Sequence, residues 1–203
     1  MFDTLQQWYA LHLAHQMYKR RFSSYGCSPK GVLWRNTYRQ QIRYALIMKG
    51  VNDHSINDFG CGYGGLVGYL EEKGYQGEYM GYDMNQEMIR SAQKQYPSGS
   101  FYCSKHVYHR ADFTLISGTL NLKMHASADI WWRFVQKKLK DCWEYSKIGM
   151  NFNLLEDTGH EQSPLLFYCN ADTVFSFCKQ SFGSRVEMSR HEEIGDLHFY
   201  IRR

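Results

Sequence analysis

The sequence predicts an α/β fold: a doubly wound, seven-stranded sheet, mostly parallel with an antiparallel C-terminal strand, helices on both faces, and an N-terminal helical cap. Three observations lead there. Short apolar runs bounded by turn residues alternate with stretches of helical period, the pattern of parallel strands joined by helical crossovers. The first such run ends in a glycine-rich turn, Gly60-Cys61-Gly62-Tyr63-Gly64-Gly65. The last two runs have no room between them for a crossover, so they form a hairpin and one must run against the rest.

The elements follow in order. Leu5, Trp8, Tyr9, Leu11, Leu13 and Met17 fall at helical spacing between Phe2 and Phe22. Lys19-Arg20-Arg21 lies in the last turn, where positive charge suits the helix dipole. Ser23 to Lys30, with Gly26 and Pro29, breaks the pattern, and a second helix from Val32 to Lys49 stops at Gly50. These two helices precede the first strand and read as a cap or lid. Strand one is Ser55 to Phe59, followed by a helix from Gly65 to Lys73. Strand two is Glu78 to Tyr82, followed by a helix from Gln86 to Gln95. Strands three and four are Ser100 to Cys103 and Asp112 to Ser117. A helix from Ala128 to Ser146 leads to strand five, Lys147 to Leu154. A helix from Ala171 to Gln180 leads to the final strands, Ser184 to His191 and Leu197 to Arg202.

The length of 203 residues fits one domain with a substantial core, residues 1–50 forming the cap and 51–203 the sheet. No repeat, low-complexity tract or linker interrupts it. The formal charge of +4 is too mild to indicate nucleic-acid binding by itself. No apolar run has the length needed to cross a bilayer, and the start lacks the basic and apolar regions of a secretion signal. The six cysteines form no Cys-x-x-Cys pair, and Cys61 sits inside the glycine turn, where a disulfide would obstruct it. Free thiols in a reducing cytoplasm are the simplest reading. His12 and His15 stand one helical turn apart, as do His106 and His109 if that segment is helical, but neither pair has a convincing third ligand, so no metal site is expected.

The chemistry gathers at the first strand. Ile56-Asn57-Asp58-Phe59 leads into the glycines, and Gly77-Glu78-Tyr79-Met80-Gly81-Tyr82-Asp83 brings a second strand-end acid about 20 residues on, where a carboxylate reaches ribose hydroxyls. Dinucleotide folds space their glycines Gly-x-Gly-x-x-Gly and seat a pyrophosphate on the helix N-terminus. Here the spacing is Gly-x-Gly-x-Gly-Gly, and the nearby Asp58 would repel a pyrophosphate but suits a cation. A purely structural turn and a nicotinamide site are the alternatives.

Asp-x-Gly-x-Gly-x-Gly, then Gly-Tyr-Asp-Met and Asn-Gln-Glu-Met-Ile, resembles the class I, Rossmann-like S-adenosylmethionine-dependent methyltransferases, over roughly Ile56 to Arg203. The resemblance implies S-adenosyl-L-methionine as cofactor. It implies that Gly60, Gly62 and Gly64, with Cys61 among them, line its methionine end. Asp83 would accept from both ribose hydroxyls, Met84 would touch adenine, and Asp58 would support the loop or bind the ammonium. It also implies substrate-facing residues after strand four, where Ser117, Gly118 and Asn121 are the choices beside the methyl group. A basic residue of the cap, Arg43, would pair with the cofactor carboxylate, for which an arginine fork is suited.

Further candidates line the same rim. Trp34, Tyr38 and Tyr44 of the second helix are expected to wall a substrate pocket, although core packing explains aromatics equally well. Asn153 near the end of strand five, with Glu156 and His160 beyond it, are substrate-contact candidates, and Tyr168 precedes the next helix. Asp172 suits the start of that helix. His125 and His191 are the general-base candidates. There is no Asn/Asp-Pro-Pro-Tyr motif and no Pro-Cys or Thr-Cys nucleophile, which argues against methylation of a nucleic-acid base. The expected reaction is methyl transfer to an O or N atom of a small metabolite or biosynthetic intermediate, with no membrane or nucleic-acid partner. RNA or protein methylation, resting on Lys19-Arg20-Arg21 and Lys137-Lys138-x-Lys140, is the alternative, and a non-catalytic cofactor-binding partner protein is another.

Overall fold

The computed structural model describes residues 2–159, 162–183 and 185–203, with side chains from residue 5 onward; His160, Glu161 and Ser184 lie outside the described residues. Six α-helices and eight strands follow one another as α1 (Phe2–Tyr25), α2 (Thr37–Ile47), β1 (Ile56–Phe59), α3 (Gly65–Glu72), β2 (Tyr79–Asp83), α4 (Gln86–Gln95), β3 (Ser100–Cys103), β4 (Ala111–Ile116), α5 (Ala128–Glu144), β5 (Ser146–Glu156), β6 (Tyr168–Cys169), α6 (Ala171–Phe182), β7 (Val186–His191) and β8 (Asp196–Arg202) among the described residues. The sheet order is β3-β2-β1-β4-β5-β8-β7, with the two-residue β6 added to β5. All pairs are parallel except those made by β8, which runs against both β5 and β7. The hairpin signal at the C-terminus thus inserts the reversed strand between two parallel ones.

Alternation along the strands splits the core between two faces. Phe59, Tyr82, Ile116, Phe152 and Phe199 face α1, α5 and α6. Ile56, Tyr79, Phe113 and Leu115 face the side of α2, α3 and α4. The stacked rings of Phe152 and Phe199, 4.9 Å apart, mark the first of these cores. Helices α4, α5 and α6 start at side-chain caps: Asn85 accepts from Glu87 and Met88, Ser127 from Ile130, and Asn170 from Thr173.

The cap differs from its sequence reading. The second helix does not begin at Val32. A short 3₁₀ turn, Pro29–Val32, ends at Leu33 in a left-handed conformation (φ 64°), and α2 starts only after Asn36, whose side chain accepts from the Arg39 amide. Strand β5 also runs further than expected, to Glu156, and Asn151 and Asn153 lie well inside it, opposite Tyr200 and His198. On that face the C-terminal end of α2 docks on polar groups as well as on the apolar core. Asn151 Nδ2 donates to the Ile47 carbonyl at 2.6 Å and to that of Lys49 at 3.1 Å, while Arg202 donates to Asn151 Oδ1. A helix end docked on buried amides has its free carbonyls satisfied there. No helix among the described residues is long and apolar enough to cross a membrane, and none of the six cysteines is paired.

Candidate active site

A cavity of about 380 Å³ opens where β1, β2 and β4 end. That is the carboxyl edge at which open parallel sheets hold ligands, and the size suits a small-molecule site. Its floor is Asp58 to Gly62. Asp83, Met84 and Asn85 form one side, and Ser117 to Leu120 the other. Leu11, Ala14, His15 and Tyr18 of α1 roof it. Their spacing places them on one helical face, so α1 is the lid.

The glycine turn is shaped by what surrounds it. Gly60 (φ 82°) and Gly62 (φ 56°) both take left-handed conformations that other residues adopt at a cost. A Cβ on Gly60 would also run into the Thr119 side chain, which donates to the Phe59 carbonyl across the cavity floor. Gly64 does not line the cavity. Its missing Cβ faces Tyr96, Phe101 and Ala92, so this glycine lets the start of α3 pack closely, and its expected place at the ligand is corrected.

Asp83 ends β2 and is partly exposed to the cavity. Oδ2 accepts from the Gly62 amide at 3.0 Å and Oδ1 from the Asn85 amide at 2.8 Å. An ionised carboxylate offers about four acceptor positions, so capacity remains on both oxygens. Burial raises the Asp83 carboxyl above its ordinary value, while the two amides and the facing His15 act the other way. Asp58 lies deeper, 3% exposed, with Oδ2 accepting from Tyr79 Oη at 2.6 Å. Burial carries its pKa to about 7 against the Tyr79 hydrogen bond. The Cys61 thiol beside it is buried and pushed well above its usual range by burial and by both aspartates.

Across the cavity, Ser117 presents a buried Oγ with no hydrogen-bond partner, and Gly118 (φ 70°) gives its amide to Asn153 Oδ1 at 2.7 Å. Trp34 and Tyr44 of the cap close this end, their rings 5.6 Å apart. Gln40, 5% exposed, ties the cap to the glycine turn by donating to the hydroxyls of Tyr44 at 3.0 Å and Tyr63 at 3.2 Å.

Several expected site residues lie elsewhere. Arg43 does not reach the cavity: its fork grips Asp196 at 2.6 and 2.7 Å. Asn153 is inside β5, 1% exposed, and meets the cavity only through Gly118. Tyr38 is 61% exposed and points to Glu193. Asn121 is buried beside the cavity lining, held by its carbonyl to the Phe167 amide. Tyr168 is on β6, with its hydroxyl accepting from the Ser163 amide. His125 is exposed in the loop before α5 and outside the cavity. His191 ends β7, the sheet's edge strand, with β8 and β5 between it and the cavity strands. Glu156 pairs with Arg190 at 2.7 Å. His160 lies outside the described residues.

The cavity instead brings in polar groups that the sequence reading did not gather. His15 and Tyr18 come from α1, with His15 Nδ1 buried and unpartnered. Lys138 turns inward from α5, its side chain 11% exposed. Its ammonium donates to the Lys105 carbonyl at 3.0 Å and lies 3.4 Å from His106 Nδ1. Burial lowers the Lys138 pKa, and the Lys138 charge in turn lowers that of His106. The available signal was periodicity: Leu11, Ala14, His15 and Tyr18 share a helical face, as do Trp131, Phe134 and Lys138.

A methyltransferase domain model matches residues 57–132, from β1 into α5. The chain is 26% identical over 162 residues to the Mycobacterium tuberculosis protein Rv1506c, whose own methyltransferase designation is provisional; the match covers 77% of this chain and 98% of that one. Among solved structures, 1,6-didemethyltoxoflavin-N1-methyltransferase of Burkholderia thailandensis, bound to S-adenosylhomocysteine, aligns with a TM-score of 0.67 at 14% identity, over 96% of this chain and 88% of that one. Magnesium protoporphyrin IX methyltransferase of Synechocystis PCC 6803, bound to S-adenosylmethionine, aligns at 0.59 and 12% identity, over 82% and 78%. With the strand order and the glycine turn, these matches show a methyltransferase domain over residues 57–132 and the Rossmann-like fold of S-adenosylmethionine-dependent methyltransferases.

Proposed function

We propose that the protein transfers a methyl group from S-adenosyl-L-methionine to an O or N atom of a small metabolite or biosynthetic intermediate. The observation that carries this is Asp83: one carboxylate both fixes the Gly62 amide and lines the cavity with acceptor capacity to spare. The residues fit the group. The floor at Gly60 and Gly62 is bare main chain. Two carboxylates, Asp58 and Asp83, lie within reach of a cationic ligand, and the buried Ser117 hydroxyl has no protein partner. When bound, the cofactor supplies an activated methyl group on a sulfonium.

The chain's own part is to bind, orient and exclude water. Asp83 would hold the ribose hydroxyls, Met84 would cover the base, and Asp58 with Gly60, Cys61 and Gly62 would hold the amino-acid end. Ser117, Gly118 and Trp34 would border the methyl group. The lid on α1 and the wall of Trp131 and Phe134 favour a compact acceptor with an apolar body. His15, with its unpartnered ring nitrogen in the cavity wall, replaces His125 and His191 as the base candidate.

RNA or protein methylation has weaker support. Of the run Lys137-Lys138-x-Lys140, Lys138 faces inward and Lys137 is paired with Asp141 at 3.2 Å. The one-domain organisation, with a cap over a sheet, and a reducing, cytoplasmic setting for six free thiols belong to the same proposal. Calorimetry with S-adenosylmethionine and S-adenosylhomocysteine, then a mass-shift screen of small hydroxyl and amine acceptors, tests it. Binding without any methylated small molecule, together with methylated RNA or protein, would move the assignment to the alternative.

A further inference from the structure

Arg43, Asp196, Asn153 and Gly118 form one continuous chain of hydrogen bonds. Arg43 donates to both carboxylate oxygens of Asp196, at 2.6 and 2.7 Å. Asp196 Oδ2 also accepts from Asn153 Nδ2 at 2.5 Å, and Asn153 Oδ1 accepts from the Gly118 amide at 2.7 Å. Asp196 and Asn153 are each 1% exposed. At the other end the Arg43 guanidinium lies 5.0 Å from the centre of the Trp34 ring. Trp34 and Gly118 then meet: a Cβ on Gly118 would sit 3.3 Å from that ring. The two ends of the chain are neighbours in the cavity wall.

We propose that Asp196 is a positioning residue that sets both halves of the methyl-side wall, Trp34 through Arg43 and the Ser117-Gly118 turn through Asn153. This rests on the reading of the cavity as a methyl-transfer site. A salt bridge that merely fastened α2 to the sheet would need Arg43 and Asp196 alone. Asn153 adds direction. A side-chain amide has a donor end and an acceptor end. The Asp196 carboxylate can only accept, so it fixes the donor end toward itself and the carbonyl toward Gly118. A neutral apolar group at position 196 leaves the amide free to turn its NH₂ toward the Gly118 N–H, where two donors would face each other. Control of the loop therefore originates in a charge outside the cavity.

Removing Asp196 alone strands a buried guanidinium and risks the fold. The test therefore uses the paired variant Arg43→Met/Asp196→Leu, which removes both charges together, a change that buried ion pairs often tolerate. Amide hydrogen exchange is followed by NMR in the full chain. The proposal expects cooperative unfolding to be retained, exchange at Gly118 to accelerate by about tenfold for the lost hydrogen bond, and exchange at Gly62 to stay as in wild type. On an acceptor found by the mass-shift screen, kcat falls by about tenfold or more as the wall shifts, with a smaller change in acceptor KM. Unchanged Gly118 exchange, equal acceleration at Gly62 and Gly118, or unchanged kcat would overturn it.

Arg43→Lys keeps the charge but loses the planar fork, and guards against a paired variant that does not fold. In it, Gly118 exchange should stay as in wild type while the ¹⁹F resonance of fluorotryptophan at Trp34, assigned by Trp34→Phe, shifts. An unmoved Trp34 resonance contradicts the Arg43 half of the proposal. Failure of wild type to bind S-adenosylhomocysteine would instead remove the methyl-transfer reading, with the exchange results still deciding whether Asp196 controls the turn.

Discussion

The Asp83 carboxylate accepts the Gly62 amide at 3.0 Å across the cavity floor, joining the end of β2 to the glycine turn after β1. The acid that would hold the cofactor's sugar therefore also sets the turn that would hold its amino-acid end. Asp83→Asn keeps the size but loses the charge. Hydrogen bonds to charged groups contribute about 1.5–3 kcal/mol, so S-adenosylhomocysteine should bind about 10–100-fold more weakly. Calorimetry checks this, and an unchanged Kd in a folded variant would remove Asp83 from the binding site.

Cofactor affinity should depend on pH through Asp58. Its folded pKa, about 7, is raised above the ordinary value of 3.8 by burial. The ligand-free protein is thus most favourable with Asp58 protonated, and that contribution is lost as pH rises through about 7. A cationic ligand favours the ionised form, so below about pH 7 binding should release a proton and tighten as pH rises, levelling off above about 7. Calorimetry in buffers of different ionisation enthalpy measures the release. Asp58→Asn should flatten the profile, and a flat profile in wild type would rule out the linkage.

His198 predicts an acid-sensitive fold. It is fully buried on β8 with neither ring nitrogen hydrogen-bonded, and burial lowers its pKa from 6.5 to about 4. Asp196 opposes that shift, while Arg43 and His191 add to it. A depressed pKa gives stability that is present above the unfolded value and lost as pH falls toward the folded one. Denaturant unfolding should therefore show a loss of up to about 3 kcal/mol between pH 6.5 and pH 4. His198→Leu should reduce that slope, and an equal slope in the variant would assign the loss to other groups.

The base candidates separate by position. His15→Ala should lower turnover by about 10²–10⁴-fold if its imidazole takes the acceptor's proton, with little change in cofactor Kd. His125→Ala, on an exposed residue outside the cavity, should leave turnover unchanged. Steady-state kinetics on a screened acceptor compares the two, and equal rates for His15→Ala and wild type would exclude His15.

What the sequence disclosed was local. The order Asp58, glycines, helix and Asp83 is readable because strand, turn and acid follow one another within one β-α-β unit, and Gly60 and Gly62 are required by backbone conformation alone. The crossover helices are legible because their apolar residues recur at helical spacing and form one buried face, as Met88, Ile89 and Ala92 do in α4. What escaped depends on distant partners. Arg43 looked available because Asp196, which occupies its fork, is 153 residues away in the chain. Lys138 reads in sequence as part of a basic run because nothing nearby announces the Lys105 carbonyl that draws it inward. The break before α2 turns on a left-handed Leu33, a residue type that gives no such signal. His15 shows in sequence only as one of a histidine pair, since the lid's position over the cavity is a packing result and not a local pattern.

The most direct test is a crystal structure of the protein with S-adenosylhomocysteine. The account predicts the ligand in the cavity at the ends of β1 and β2, with both ribose hydroxyls within about 3 Å of the Asp83 carboxylate and its amino-acid end against Gly60 and Gly62. A cavity without ligand at saturating concentration, or a ligand whose ribose lies away from Asp83, would contradict it.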